Sequence, residues 1–69
     1  MSDKVYKKID VVGTSSMNLE DAIQKAVARS SETVRNMSWF EVSEIRGRIE
    51  DGDVTQWQVT VRIGFAVGE

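Results

Sequence analysis

Val54-Thr55-Gln56-Trp57-Gln58-Val59-Thr60-Val61-Arg62-Ile63-Gly64-Phe65-Ala66-Val67 alternates between two kinds of position almost without a break. Successive side chains of an extended chain point to opposite faces, so a period of two reads as a strand with one buried side. Trp57, Val59, Val61, Ile63, Phe65 and Val67 face one way, and Gln56, Gln58, Thr60, Arg62, Gly64 and Ala66 face the other. Just before this stretch lies Glu50-Asp51-Gly52-Asp53. An Asp-Gly pair suits a type I′ turn, whose two central residues need positive φ. A hairpin is therefore expected, with Asp51-Gly52 as its loop, Glu50 opposite Asp53, and a partner strand running from Phe40 to Glu50.

Towards the N-terminus, Val5 to Val12 also alternates, with Val5, Ile9 and Val11 on one face and Lys7 as the exception. It reads as a first strand, closed by the turn and cap chemistry of Gly13-Thr14-Ser15-Ser16. Asn18 is a good helix N-cap, with Asp21 three residues on in a capping-box-like position. From Leu19 to about Asn36 the apolar residues Leu19, Ala22, Ile23, Ala26, Val27, Val34 and Met37 form one helical stripe, thinned at Ser30 and Ser31. Glu20 and Asp21 stand at the positive end of that helix, and Arg29 and Arg35 lie towards the negative end.

The order strand, helix, strand, strand restricts the topology. An all-antiparallel sheet needs the third strand in the middle, giving order 1-3-2, with the helix over the face that carries Trp57 through Val67. The fold class is α+β. A strand from Val54 to Val67 spans about 46 Å, whereas a helix from Leu19 to Asn36 spans about 27 Å. The sheet must curl around its helix or project beyond it.

Composition narrows the function. At 69 residues the chain is read as a single domain over residues 1–69. A chain this small buries only about 60% of the surface that its unfolded form exposes. Small folds usually add disulfides, a metal or partner subunits. The sequence has no Cys and no His, which removes disulfides and the commonest metal ligands. Oligomerisation is the remedy left, and no metal site is expected. A net charge of −2 gives no basic field for nucleic acid or an anionic membrane. No apolar run approaches the about 20 residues of a membrane span, and Met1-Ser2-Asp3-Lys4 begins no signal-peptide pattern, so a cytoplasmic location is expected.

The hairpin register puts Phe40 opposite Ile63 and Val42 opposite Val61 on the helix side. Trp39 falls opposite Gly64, and Ile45 opposite Gln58, on the side away from the helix. A patch with an exposed Trp and Ile calls for a partner or a ligand. Aromatic residues are common at subunit contacts, so both readings stand at this point. Alternation along Phe40–Glu50 is imperfect, and a bulge near Ser43-Glu44 would explain it. That bulge would redirect Arg46, which simple alternation aims at the helix. Trp57 reads as core.

With these residues placed, the chain resembles the dodecins, small flavin-binding proteins that assemble into a hollow dodecamer. The resemblance covers essentially the whole chain: Val5-Tyr6-Lys7, Val11-Val12-Gly13-Thr14-Ser15, Glu20-Asp21-Ala22-Ile23, Trp39-Phe40-Glu41-Val42, Ile45-Arg46-Gly47, Trp57-Gln58-Val59 and Gly64-Phe65. It implies a three-stranded antiparallel sheet wrapped on one helix, twelve subunits in cubic symmetry, and flavins held in stacked pairs between subunits. It implies further that Trp39 stacks on the isoalloxazine, that Gln58 meets the pyrimidine end of the ring, and that Arg46 belongs to the ligand site. The chemistry agrees. Indole is a broad polarisable plate, an amide offers both a donor and an acceptor, and a guanidinium forks onto phosphate. FMN is the expected ligand, with riboflavin as the alternative. Many bacterial relatives carry an arginine where this chain has Ala66, which weakens the preference for FMN. Some members also bind coenzyme A at inter-subunit sites, where Lys4, Tyr6 and Arg29 would be the contributors here.

The leading function is a non-catalytic flavin store that limits flavin photochemistry. The competing classes are a small oligomeric flavoenzyme and an oligomeric interaction module without a small ligand. Catalysis would need a positioned acid or base, for which Glu41 and Glu44 are the candidates, and strand carboxylates are usually solvated.

Overall fold

The computed structural model describes residues 3–68, and Met1, Ser2 and Glu69 lie outside the described residues. The elements are β1 (Val5–Ser15), α1 (Leu19–Ser30), β2 (Met37–Glu50) and β3 (Asp53–Val67). They form one antiparallel sheet of three strands in the order β1-β3-β2, as the element order requires.

β1 runs three residues past the expected Val12, through Gly13, Thr14 and Ser15, because Gly13 pairs with Val59 beneath the helix. A Cβ at position 13 would collide with the Ala22 carbonyl and the Ala26 side chain, so glycine lets strand and helix approach closely. Ser15 ends the strand with chemistry of its own. Its hydroxyl donates to the Asp21 carboxylate at 2.6 Å and accepts from the Met17 amide at 2.9 Å. Asn18 caps the helix, its Oδ1 accepting from the Asp21 amide at 2.7 Å.

The helix stops at Ser30, about 1.7 turns before the expected Asn36. The apolar stripe ends at Val27 and resumes only at Val34, so the exposed Ser31, Glu32 and Thr33 have no apolar side chain to bury. The chain unwinds through tighter bonds, Glu32 amide to Arg29 carbonyl and Thr33 amide to Ser30 carbonyl. Asn36 then takes φ 63°, a left-handed value that reverses the chain into β2.

The hairpin forms as the Asp-Gly pair dictates. Asp51 and Gly52 have φ 50° and 83°, and Glu50 opposes Asp53. The register also places Trp39 opposite Gly64, Phe40 opposite Ile63 and Val42 opposite Val61. Ser43 is bulged between Val42 and Glu44, and this overturns the expected place of Ile45. It opposes Val59 on the helix side, and Arg46 takes the position opposite Gln58 on the outer face.

The core is short. Val59, Val61 and Ile63 are fully covered by Ala22 and Ala26 of α1, with Ile9, Val11, Leu19, Ile23 and Met37 around them. The helix packs on β1 and β3 and leaves most of the inner side of β2 uncovered. A 12-residue helix covers about 18 Å of a 15-residue strand of about 50 Å. The helix therefore covers only the middle of the expected Trp57–Val67 face, from Val59 to Ile63, and Trp57 is half-buried rather than core. The subunit measures 56 × 20 × 13 Å, with the β2–β3 hairpin projecting beyond the helix.

Candidate functional site

The outer face of the sheet, away from α1, carries the side chains that the sequence singles out. Register assigns its rows. From one end, Tyr6 lies opposite Ala66; Lys8 and Trp39 flank Gly64; Asp10 and Glu41 flank Arg62; Val12 and Glu44 flank Thr60; and Thr14 and Arg46 flank Gln58.

Trp39 is seated on backbone. A Cβ at position 64 would overlap the indole atoms Cζ2, Cε2 and Cη2, so the ring lies directly on Gly64. Tyr6 meets it from β1, with ring centroids 5.0 Å apart and planes at 60°, an edge-to-face contact. The indole keeps 41% of its surface exposed. A flat aromatic fixed on one side and open on the other fits stacking by a planar heterocycle.

Gln58 and Arg46 sit elsewhere on the same face, as direct cross-strand neighbours. Gln58 Nε2 donates to Gln56 Oε1 at 2.8 Å, which orients the amide and leaves its oxygen free to accept. Arg46 Nη1 lies 3.9 Å from Glu44 Oε1. From Gly64 to Gln58 the chain advances six residues, about 20 Å of strand. The sheet therefore brings Arg46 and Gln58 together and keeps Trp39 apart from both.

The rows between are ion-paired. Asp10 accepts from Arg62 at 2.8 Å, and this bond holds its carboxyl below the ordinary value of 3.8 and raises the Arg62 guanidinium in turn. Lys8 lies 3.7 Å from Glu41, and Glu44 accepts from the Thr60 hydroxyl at 3.2 Å. The two candidate acids, Glu41 and Glu44, are exposed and engaged with these partners. Among the described residues, no cluster of three or more Asp and Glu gathers where a metal ion would sit, and no helix is long and apolar enough to cross a membrane.

Lys4, Tyr6 and Arg29 do not converge within one subunit. Lys4 borders a depression with Asn36, Ser38, Ala66 and Gly68, and Arg29 lines a groove between α1 and β1 with Val12, Thr14 and Lys25. Two residues of the site escape a sequence reading: Tyr6 as neighbour of Trp39, and Gln56 as partner of Gln58. Alternation along β1 puts Tyr6 on the outer face, but only the β1–β3 register brings it near Trp39.

The inner side of the molecule is unfinished. Phe40, Val42, Ile45, Ile49 and Val54 are exposed, and Ile45, Ile49, Val54 and Trp57 line an apolar hollow near the projecting hairpin. An aromatic platform on one face and an open apolar flank on the other are surfaces that a small α+β domain offers to a ligand or a partner. A family model described as Dodecin matches residues 5–68. The chain is 52% identical over 66 residues to the dodecin of Thermus thermophilus, covering 96% of each. It superposes on the structure of dodecin from Streptomyces coelicolor with a TM-score of 0.91 at 46% identity, over 100% of this chain and 99% of that one. For dodecin from Streptomyces davaonensis the TM-score is 0.90 at 43% identity, over 99% and 100%. The chain belongs to the dodecin family.

Proposed function

We propose that the chain is a non-catalytic flavin store of the cytoplasm. It binds FMN, with riboflavin as the alternative, in stacked pairs between subunits of a homododecamer, and so limits the photochemistry of free flavin. The observation that carries this reading is the Trp39 indole, held flat against Gly64 with its other face open.

The ligand roles follow from the rows of the sheet. Trp39 supplies the stacking surface. Gln58, with one amide hydrogen held by Gln56, offers an acceptor and a remaining donor, the complement of an imide N–H beside a carbonyl. The roughly 20 Å of strand between these two rows exceeds the length of a tricyclic ring. A flavin stacked on Trp39 of one subunit then takes its pyrimidine contact from Gln58 of a neighbour. Arg46, beside Gln58, is the cation available for a phosphate, and Ala66 near Trp39 adds none. The exposed apolar flank of β2 supports assembly, because a 69-residue chain gains much by covering it. Stacking on indole also allows electron donation to the excited ring, which quenches fluorescence and shortens the time available for photoreactions.

The test is an absorbance spectrum of the purified protein with its mass in solution, and mass spectrometry of any released chromophore. A twelve-subunit mass, bound flavin and quenched emission are expected, and the chromophore mass decides between FMN and riboflavin. An assembly that is colourless and takes up neither flavin on titration would overturn the reading and leave Trp39 as a contact residue. Turnover of a reductant and an acceptor by the loaded protein would replace the store with an enzyme.

A further inference from the structure

We infer that Gly64 and Tyr6 are positioning residues that hold the Trp39 indole in place before a ligand arrives. The inference deepens the flavin reading and rests on it.

Glycine inside a strand weakens it and needs a reason. Backbone conformation is not the reason here, since Gly52 and Gly68 take positive φ and Gly64 does not. The space above its Cα is the reason, because three atoms of the indole occupy the place of a Cβ. Gly64 is buried although it sits on the outer face of the sheet, so the indole itself seals that side. Tyr6 blocks rotation towards β1 through its ring, which meets the indole at 60° with centroids 5.0 Å apart. With one face closed and the side braced, the indole is ordered before any ligand arrives. A ligand then spends little of its binding energy on fixing that side chain.

Two substitutions separate this from a generic structural role. Gly64→Ala drives the indole off its seat and is expected to weaken FMN binding about tenfold, the scale of one lost stacking contact, at unchanged assembly mass. Tyr6→Ala is expected to weaken it about threefold, and Tyr6→Phe to restore it, because the contact is one between the two rings. The near-ultraviolet circular dichroism of the ligand-free protein, less that of Trp39→Phe, reports the ordered indole directly. It should fall in Gly64→Ala and Tyr6→Ala and persist in Tyr6→Phe. Wild-type FMN affinity together with an undiminished indole signal in Gly64→Ala overturns the inference and leaves the flavin reading standing. Should Gly64→Ala fail to assemble, the two Tyr6 variants decide by the same criteria. A wild-type protein that takes up no FMN removes the flavin reading, and the ligand-free signal still decides whether Gly64 and Tyr6 hold the indole.

Discussion

The middle of the sheet and its two ends follow different rules. In the middle, small residues let the helix settle onto the strands: Gly13 faces Ala22 and Ala26, and Val59, Val61 and Ile63 are completely covered. Towards the ends, large residues stand open. Phe40 and Trp39 lie at one end, and Ile45, Ile49 and Val54 surround the half-buried Trp57 at the other. The middle is finished within one chain. The ends hold more apolar surface than one helix can cover, which suits the proposed assembly with further copies of the chain. On the proposed function, stability and ligand binding are divided along a single strand, β3, whose inner residues build the core and whose outer residues include the rows proposed for the ligand.

Breaking the middle should have the largest effect. Gly13→Ala places a methyl group against the Ala22 carbonyl, which belongs to the helix backbone and cannot turn aside. The loss is expected to be about 3 kcal/mol or more, seen as a fall in the urea midpoint or as failure to fold. A stability equal to the wild type would mean that the helix rides higher over β1 than described. The end is sharpened by Ile49→Asp, at a residue 73% exposed in the single chain. If a second copy covers it, burial of that side chain is worth about 1.5–3 kcal/mol per subunit. The assembly should then shift to smaller species at low concentration, while circular dichroism of the subunit is retained. An unchanged mass would show that the hairpin remains in solvent.

The same division explains what could be read in the sequence. β3 was legible because its alternation is long and uninterrupted, and the Asp-Gly turn then set the register for Trp39, Phe40 and Val42. The spacing overstates the helix because Val34 and Met37 keep helical period although they belong to the chain reversal and to β2. Ile45 was assigned to the wrong face for a related reason. Alternation carries no information about which residue absorbs a bulge, and one skipped residue at Ser43 exchanges the faces of everything after it. Arg46 reached its place beside Gln58 by that same skip. Trp57 looked like core because its face is right, but coverage depends on where the helix lies along the strand. The brace from Tyr6 was hidden because it depends on the register of two strands separated by most of the chain.

Ligand binding should separate from assembly at Trp39. Trp39→Ala removes the plate and is expected to lower FMN affinity at least about tenfold, with the mass in solution unchanged. Fluorescence titration and light scattering on one sample measure both. Retained affinity would remove the stacking role, and loss of assembly would make Trp39 part of the subunit contact as well. Gln56→Leu tests the other row with a smaller effect. Freed from Gln56 Oε1, the Gln58 amide has more than one orientation, so affinity should fall by about two- to fivefold.

The smallest effect distinguishes the two regions by pH. Asp10, on the outer face, is lowered by its hydrogen bond to Arg62, and Asp21, at the helix start, is lowered by the Ser15 hydroxyl first and Lys25 second. A carboxyl whose folded value lies below its unfolded value contributes stability that is fully present above the unfolded value. That contribution is lost as pH falls through the folded one. Both contributions are therefore intact from neutral pH down to about 5 and disappear only below the ordinary value of 3.8. Asp10 is exposed and Asp21 partly so, and solvent screens both, so the acid limb of the urea midpoint should be shallow. Asp21 differs in one respect: its hydroxyl partner, Ser15, is only 4% exposed and ties the end of β1 to the first turn of α1. Asp21→Asn should consequently flatten the acid limb more than Asp10→Asn, because the covered middle of the molecule depends on it. Equal flattening by the two variants would mean that the outer ladder stabilises the sheet as much as the helix junction does.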